Sequence, residues 1–114
     1  MKVAVVGAGT MGNGIAQVFA TSGHQVVMID VSAAALERGL SSIKTSLGRL
    51  VKKGALTQEA SDQATGRIAV ATTIEDARGA ELAVEAATES PALKFQIFEQ
   101  LDRVAKPEAI LARN

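Results

Sequence analysis

Gly7, Ala8, Gly9, Thr10, Met11 and Gly12 form a G-x-G-x-x-G run directly after the apolar stretch 2–6, and Asp30 closes a second apolar stretch eighteen residues after Gly12. In that order, the residues suit the two ends of a dinucleotide's adenosine diphosphate. Gly7 permits a tight turn out of a strand, Gly9 lets backbone amides approach a diphosphate, and Gly12 lets a helix lie close against the sheet. A helix starting near Thr10 aims its N–H groups and positive dipole end at the phosphates, so the turn needs no lysine or arginine. Asp30 can accept hydrogen bonds from ribose hydroxyls, and its charge repels the extra phosphate of NADP. Val31 and Ser32 offer no cation to offset that repulsion, so NAD is the expected cofactor. As plain structure, the same residues read as a conformational turn, and Asp30 as a turn acid ahead of an N-cap at Ser32.

The elements that must hold these groups follow from the apolar pattern. Val3, Ala4, Val5 and Val6 read as a strand buried on both faces, and Met11, Ile15, Val18 and Phe19 fall on one stripe of the following helix, which Gly23 closes. Residues 25–29 read as the second strand. Leu36, Leu40, Ile43, Leu47 and Leu50 recur at alternating intervals of four and three, which predicts a long helix of about 30 Å ended by Lys53 and Gly54. Thr57 can cap a return helix running to Ala64. This hairpin is rich in bases (Arg38, Lys44, Arg49, Lys52 and Lys53 against Glu37) and reads either as an arm over a ligand or as a solvated helix face.

Residues 67–72 read as the third strand, Thr73 and Asp76 as the start of a short helical turn, and 82–85 as the fourth strand. Ser90 and Pro91 open a further helix with Leu93, Ile97, Leu101 and Val104 on its core stripe, ended by Pro107, and 109–112 read as the fifth strand.

The 114 residues allow one domain, and the 47% hydrophobic and 21% charged composition is that of a globular protein. Twelve basic and twelve acidic residues cancel, so no bulk field draws the chain to nucleic acid or anionic lipid. The absence of cysteine excludes disulfides and thiolate metal sites, and no stretch has the pattern of a signal peptide or membrane span. A cytoplasmic protein is expected, with neither nucleic-acid nor membrane partners.

The chain resembles the N-terminal domain of NAD-dependent 3-hydroxyacyl-CoA dehydrogenases, the 3-hydroxybutyryl-CoA type above all. The resemblance spans the whole sequence and rests on three separated segments: Val6 to Gly12 with Gly14-Ile15-Ala16-Gln17, Leu47 to Thr57, and Val84-Glu85-Ala86-Ala87-Thr88-Glu89. It implies a Rossmann-type α/β fold, a parallel sheet ordered 3-2-1-4-5 with a helical hairpin between strands two and three and an incomplete second half. Residues 1–114 would form the NAD-binding domain, without the helical substrate and dimerisation domain.

By the same resemblance, Gly7 to Gly12 hold the diphosphate, Asp30 the adenosine ribose, and Glu89 and Lys94 line the nicotinamide end, while Ser46 and Lys53 contact the coenzyme A of an acyl-CoA substrate. The implied reaction interconverts 3-hydroxyacyl-CoA and 3-oxoacyl-CoA by hydride transfer in fatty acid metabolism, and a homo-oligomer is expected. The family's continuation Ala-Ser-Asn-Thr-Ser-Ser departs here to Ala112-Arg113-Asn114, and the carboxylate-held catalytic histidine has no counterpart. His24, the sole histidine, falls in the turn before the second strand. The chain alone is therefore expected to be inactive. Alternatives are a non-catalytic, crystallin-like dinucleotide-binding member of the family and a dehydrogenase of the 3-hydroxyisobutyrate type.

Overall fold

In the computed structural model, which describes residues 1–86, 100 and 110–113, the chain runs through β1 (Lys2–Val6), α1 (Thr10–Thr21), β2 (Gln25–Ile29), α2 (Ala33–Lys52), α3 (Gln58–Gly66), β3 (Ile68–Ala71), a 3-10 turn (Ile74–Ala77), β4 (Leu82–Glu85) and β5 (Ile110–Arg113). The five strands form one parallel sheet in the order β3-β2-β1-β4-β5, as expected for a Rossmann-type fold. The expected outer strands differ only at their ends, and the helix expected after Ser90 lies outside the described residues.

The near-continuous apolar runs follow from a sheet covered on both sides. Val3, Val5, Val26 and Met28 point to one face and pack with Ala16, Ala20, Leu36, Ile43, Leu47 and Ala64 of the helices. Ala4, Val6, Val27 and Ile29 point to the other and meet Ala77, Ala80 and Ala83. The carboxyl ends of β1, β2 and β4 are aligned by register, with Val6 opposite both Ile29 and Glu85.

The stripe expected on α1 is rotated. Met11 and Val18 are exposed, and the buried residues are Gly12, Ala16 and Ala20, flanked by half-buried Ile15 and Phe19. Small residues win the inward positions because this helix crosses the sheet at very short range, with Gly12 against the backbone of Gly7. Large apolar side chains there would hold the helix off the turn.

The hairpin of α2 and α3 is caught in the same core. Ile43, Leu47 and Ala64 are fully or almost fully buried, so its inner face is structural, while Arg38, Lys44, Arg49, Lys52 and Lys53 all lie exposed. Both N-caps read from sequence are formed, Ser32 Oγ accepting from the Ala35 amide at 3.1 Å and Thr57 Oγ1 from the Ala60 amide at 3.0 Å. Gly54 ends the α2 turn at φ 77°, in the left-handed region. Among the described residues, no helix is long and apolar enough to cross a membrane, and no cluster of side chains could hold a metal ion.

Candidate functional site

The glycine turn sits at the carboxyl end of β1, between β2 and β4. Gly7 takes φ 112°, a conformation that side-chain-bearing residues rarely adopt, and its amide donates to the Ile29 carbonyl at 2.6 Å. The chain thus leaves the sheet at once. Gly12 then returns to the same spot: a Cβ there would fall 1.8 Å from the Gly7 carbonyl oxygen. Gly9 is different, because a Cβ placed on it meets nothing within 4 Å. Gly7 is required by backbone conformation and Gly12 by packing, and Gly9 borders open space.

Gly9 is also the N-cap of α1, and it has no side chain with which to cap the first-turn amides. The first helical bond runs from the Asn13 amide to the Gly9 carbonyl at 2.9 Å, which leaves the amides of Thr10 and Gly12 ahead of it at the mouth of the turn. A helix start that supplies amides, positive dipole and no capping oxygen, beside open space, suits an anion such as a dinucleotide's diphosphate.

Asp30 stands beside this turn at the end of β2. Its Oδ2 accepts from the Ala8 amide at 3.1 Å and its Oδ1 from the Ser32 amide at 2.9 Å. The carboxylate therefore joins the glycine turn to the start of α2, which is the turn-acid role expected of it. It is half-buried, and each carboxylate oxygen retains capacity to accept from a sugar hydroxyl.

Gly39, which the sequence reading passed over, completes the cradle. It is buried on α2, and a Cβ there would approach the Ala8 carbonyl oxygen to 2.7 Å and the Met28 methyl to 3.2 Å. The signal was present: glycine inside a long helix costs roughly 1 kcal/mol relative to alanine, and here it falls on the buried stripe next to Leu40. Glu85 is likewise fully buried at the end of β4, in register with Val6.

The structure brings Gly7 to Gly12 and Asp30 together. Ser46 and Lys53 lie apart from them along α2, Ser46 accepting a hydrogen bond from Gln17 Nε2 at 3.0 Å and Lys53 exposed at the C-cap. Glu89 and Lys94 lie outside the described residues. His24 is in the turn after α1, its ring 5.9 Å from that of Phe19 and its amide bonded to the Phe19 carbonyl. An open depression on the β2 and β3 side, lined by Val27, Ala69, Ala71 and Asp76 among others, includes none of the expected site residues.

Residues 2–114 match the family model for the NAD-binding domain of 3-hydroxyacyl-CoA dehydrogenases. The chain belongs to that family. A 3-hydroxybutyryl-CoA dehydrogenase of Bradyrhizobium diazoefficiens is 46% identical over 111 residues, covering 97% of this chain and 38% of the relative. The crystal structure of (S)-3-hydroxybutyryl-CoA dehydrogenase from Ralstonia eutropha superposes with a TM-score of 0.94 at 43% identity, over 99% of this chain and 40% of that one. That of 3-hydroxybutyryl-CoA dehydrogenase from Escherichia coli gives a TM-score of 0.96 at 41% identity, over 100% of this chain and 24% of the other. The chain spans about two fifths of the length of the curated relatives first matched. These matches do not favour the crystallin-like or the 3-hydroxyisobutyrate-type alternative. As a member of an NAD-binding domain family, the chain has NAD as its cofactor, and the open, uncapped turn has the donors that such a group needs.

Proposed function

We propose that this chain is the NAD-binding portion of an oxidoreductase that interconverts 3-hydroxyacyl-CoA and 3-oxoacyl-CoA. In this reading, residues 1–114 form one cofactor domain, and a helical domain supplies the rest of the substrate cleft and the contacts of a cytoplasmic homo-oligomer. The observation that carries the reading is the uncapped start of α1 beside Gly9, where a Cβ would meet nothing, with the Asp30 carboxylate bound to the amide of the same turn. Bound there, NAD supplies the acceptor for a hydride.

The protein's own groups bind and orient. The Gly7 to Gly12 turn holds the diphosphate through backbone amides, Asp30 holds the adenosine ribose, and Glu89 and Lys94 serve the nicotinamide end. Ser46 and Lys53 on α2 take the coenzyme A portion of the substrate, Lys53 as a cation for phosphate oxygens and Ser46 as a hydrogen-bonding group. None of these side chains is a general base at the reacting carbon, and His24 packs on Phe19 in the turn before β2, so proton transfer falls to groups outside these 114 residues. The chain is accordingly a binding unit without turnover of its own.

Titration of the purified chain with NADH and NADPH, followed by steady-state assay with acetoacetyl-CoA, tests this. NADH should bind more tightly than NADPH, and NADH oxidation should not exceed a protein-free blank. Equal affinity for the two nucleotides would remove Asp30 from the ribose, and turnover above the blank would refute the division of labour.

A further inference from the structure

A polar contact between side chains far apart in sequence joins α1 to α2. Gln17 Nε2 donates to Ser46 Oγ at 3.0 Å across 29 residues, and both partners are half-buried. By contrast, Gln58 with Asp62, Gln63 with Glu59, Thr73 with Asp76 and Arg78 with Glu75 bond between positions three or four apart on exposed surface. A long-range bond of this kind fixes the geometry of a particular hydroxyl.

The direction of that bond determines what the hydroxyl can do. A serine or threonine inside a helix commonly gives its proton to a carbonyl one turn back, as Thr21 does to the Gln17 carbonyl and Thr65 to the Ser61 carbonyl, both at 3.0 Å. Ser46 makes no such bond among the described residues. A carboxamide nitrogen has protons to give and no lone pair to receive one, so the Gln17 contact occupies an acceptor site of Ser46 and leaves its O–H to be donated elsewhere. Donation into the oxygen also polarises the hydroxyl and strengthens it as a donor.

We propose that Gln17 is a positioning residue for the coenzyme A end of the site: it holds the Ser46 hydroxyl with its hydrogen turned away from α1, toward an amide or phosphate oxygen of the ligand. The proposal rests on the reading of Ser46 as a coenzyme A contact. Gln17 itself touches Ser46 and acts through it. Its loss frees Ser46 to turn its proton back onto its own helix, as Thr21 and Thr65 do, which removes a donor from the ligand while leaving α2 in place.

The test is calorimetric titration of the chain with coenzyme A and, separately, with NADH, for the wild type, Gln17→Met, Gln17→Asn, Ser46→Ala and the double variants. Gln17→Met keeps length without a donor, and Gln17→Asn keeps the amide but is one methylene too short, so either one reads the effect if the other unfolds. Each Gln17 variant should weaken coenzyme A binding about three- to tenfold, the worth of one hydrogen bond, leave NADH affinity unchanged, and add nothing once Ser46 is alanine. If Ser46→Ala weakens coenzyme A binding and the Gln17 variants do not, the proposal falls and the reading of Ser46 stands. If the Gln17 variants weaken binding equally in the Ser46→Ala background, Gln17 does not act through Ser46 and the proposal also falls. If Ser46→Ala has no effect on coenzyme A binding, the reading of Ser46 fails and carries the proposal with it.

Discussion

Adding one methyl group at Gly12 and one at Gly9 should damage the protein in opposite ways. At Gly12 the new Cβ would lie 1.8 Å from the Gly7 oxygen and 2.7 Å from its carbonyl carbon, so turn and helix must separate by roughly 1.5 Å to reach ordinary contact. Neither side yields cheaply, because Gly7 is bonded to Ile29 and α1 is anchored by buried Ala16 and Ala20. Overpacking costs about 1–3 kcal/mol, here at the upper end because the obstacle is backbone, and replacing a helical glycine by alanine returns about 1 kcal/mol. A net loss of roughly 2 kcal/mol remains, enough to lower a urea midpoint by about 1 M. At Gly9 the φ is −69° and the space is open, so Gly9→Ala should stay within about 1 kcal/mol of the wild type while its methyl occupies the diphosphate position and weakens NADH binding more than about tenfold. Urea unfolding followed by circular dichroism and NADH titration on both variants separate the two effects. A Gly12→Ala protein with wild-type midpoint, or a Gly9→Ala protein with wild-type NADH affinity, would refute the assignment of the two glycines to packing and to ligand.

Asp30→Ala should weaken NADH binding more than His24→Ala in parallel titrations, and should also lose about 1–3 kcal/mol of stability because the amides of Ala8 and Ser32 both lose an acceptor; equal NADH losses would count against the ribose role. Gly39→Ala, whose Cβ would meet the Ala8 oxygen at 2.7 Å, should lower the urea midpoint although alanine is the better helix former, and a raised midpoint would show that α2 does not seat on the turn.

Much of this arrangement was legible from residue types, because local rules and tertiary demands agree over most of the chain. Apolar runs buried on both faces announced the parallel strands, Ser32 and Thr57 announced helix starts, and the glycine spacing with Asp30 announced the crevice between them. Hydrophobic periodicity rewards large side chains and so points to the wrong face of α1, whereas close packing puts Gly12 against the turn and Ala16 and Ala20 against the sheet. Gly39 was missed for the same reason: its contribution is an absent Cβ, visible only once Ala8 is placed beside it. For Asp30 the sequence offers both a structural and a ligand role, and the geometry gives it two backbone partners without using up its acceptor capacity. The charged face of α2 said little by itself, since its inner residues are core and its lysines and arginines exposed.

The most direct measurement follows backbone amide resonances of the isotopically labelled chain as NADH is added. The account predicts that the amides of Thr10 and Gly12 shift most, with Ala8 and Ser32 following as the Asp30 carboxylate engages the ribose, while the turn at His24 stays still. Saturable binding that leaves the 7–12 amides unmoved would contradict it.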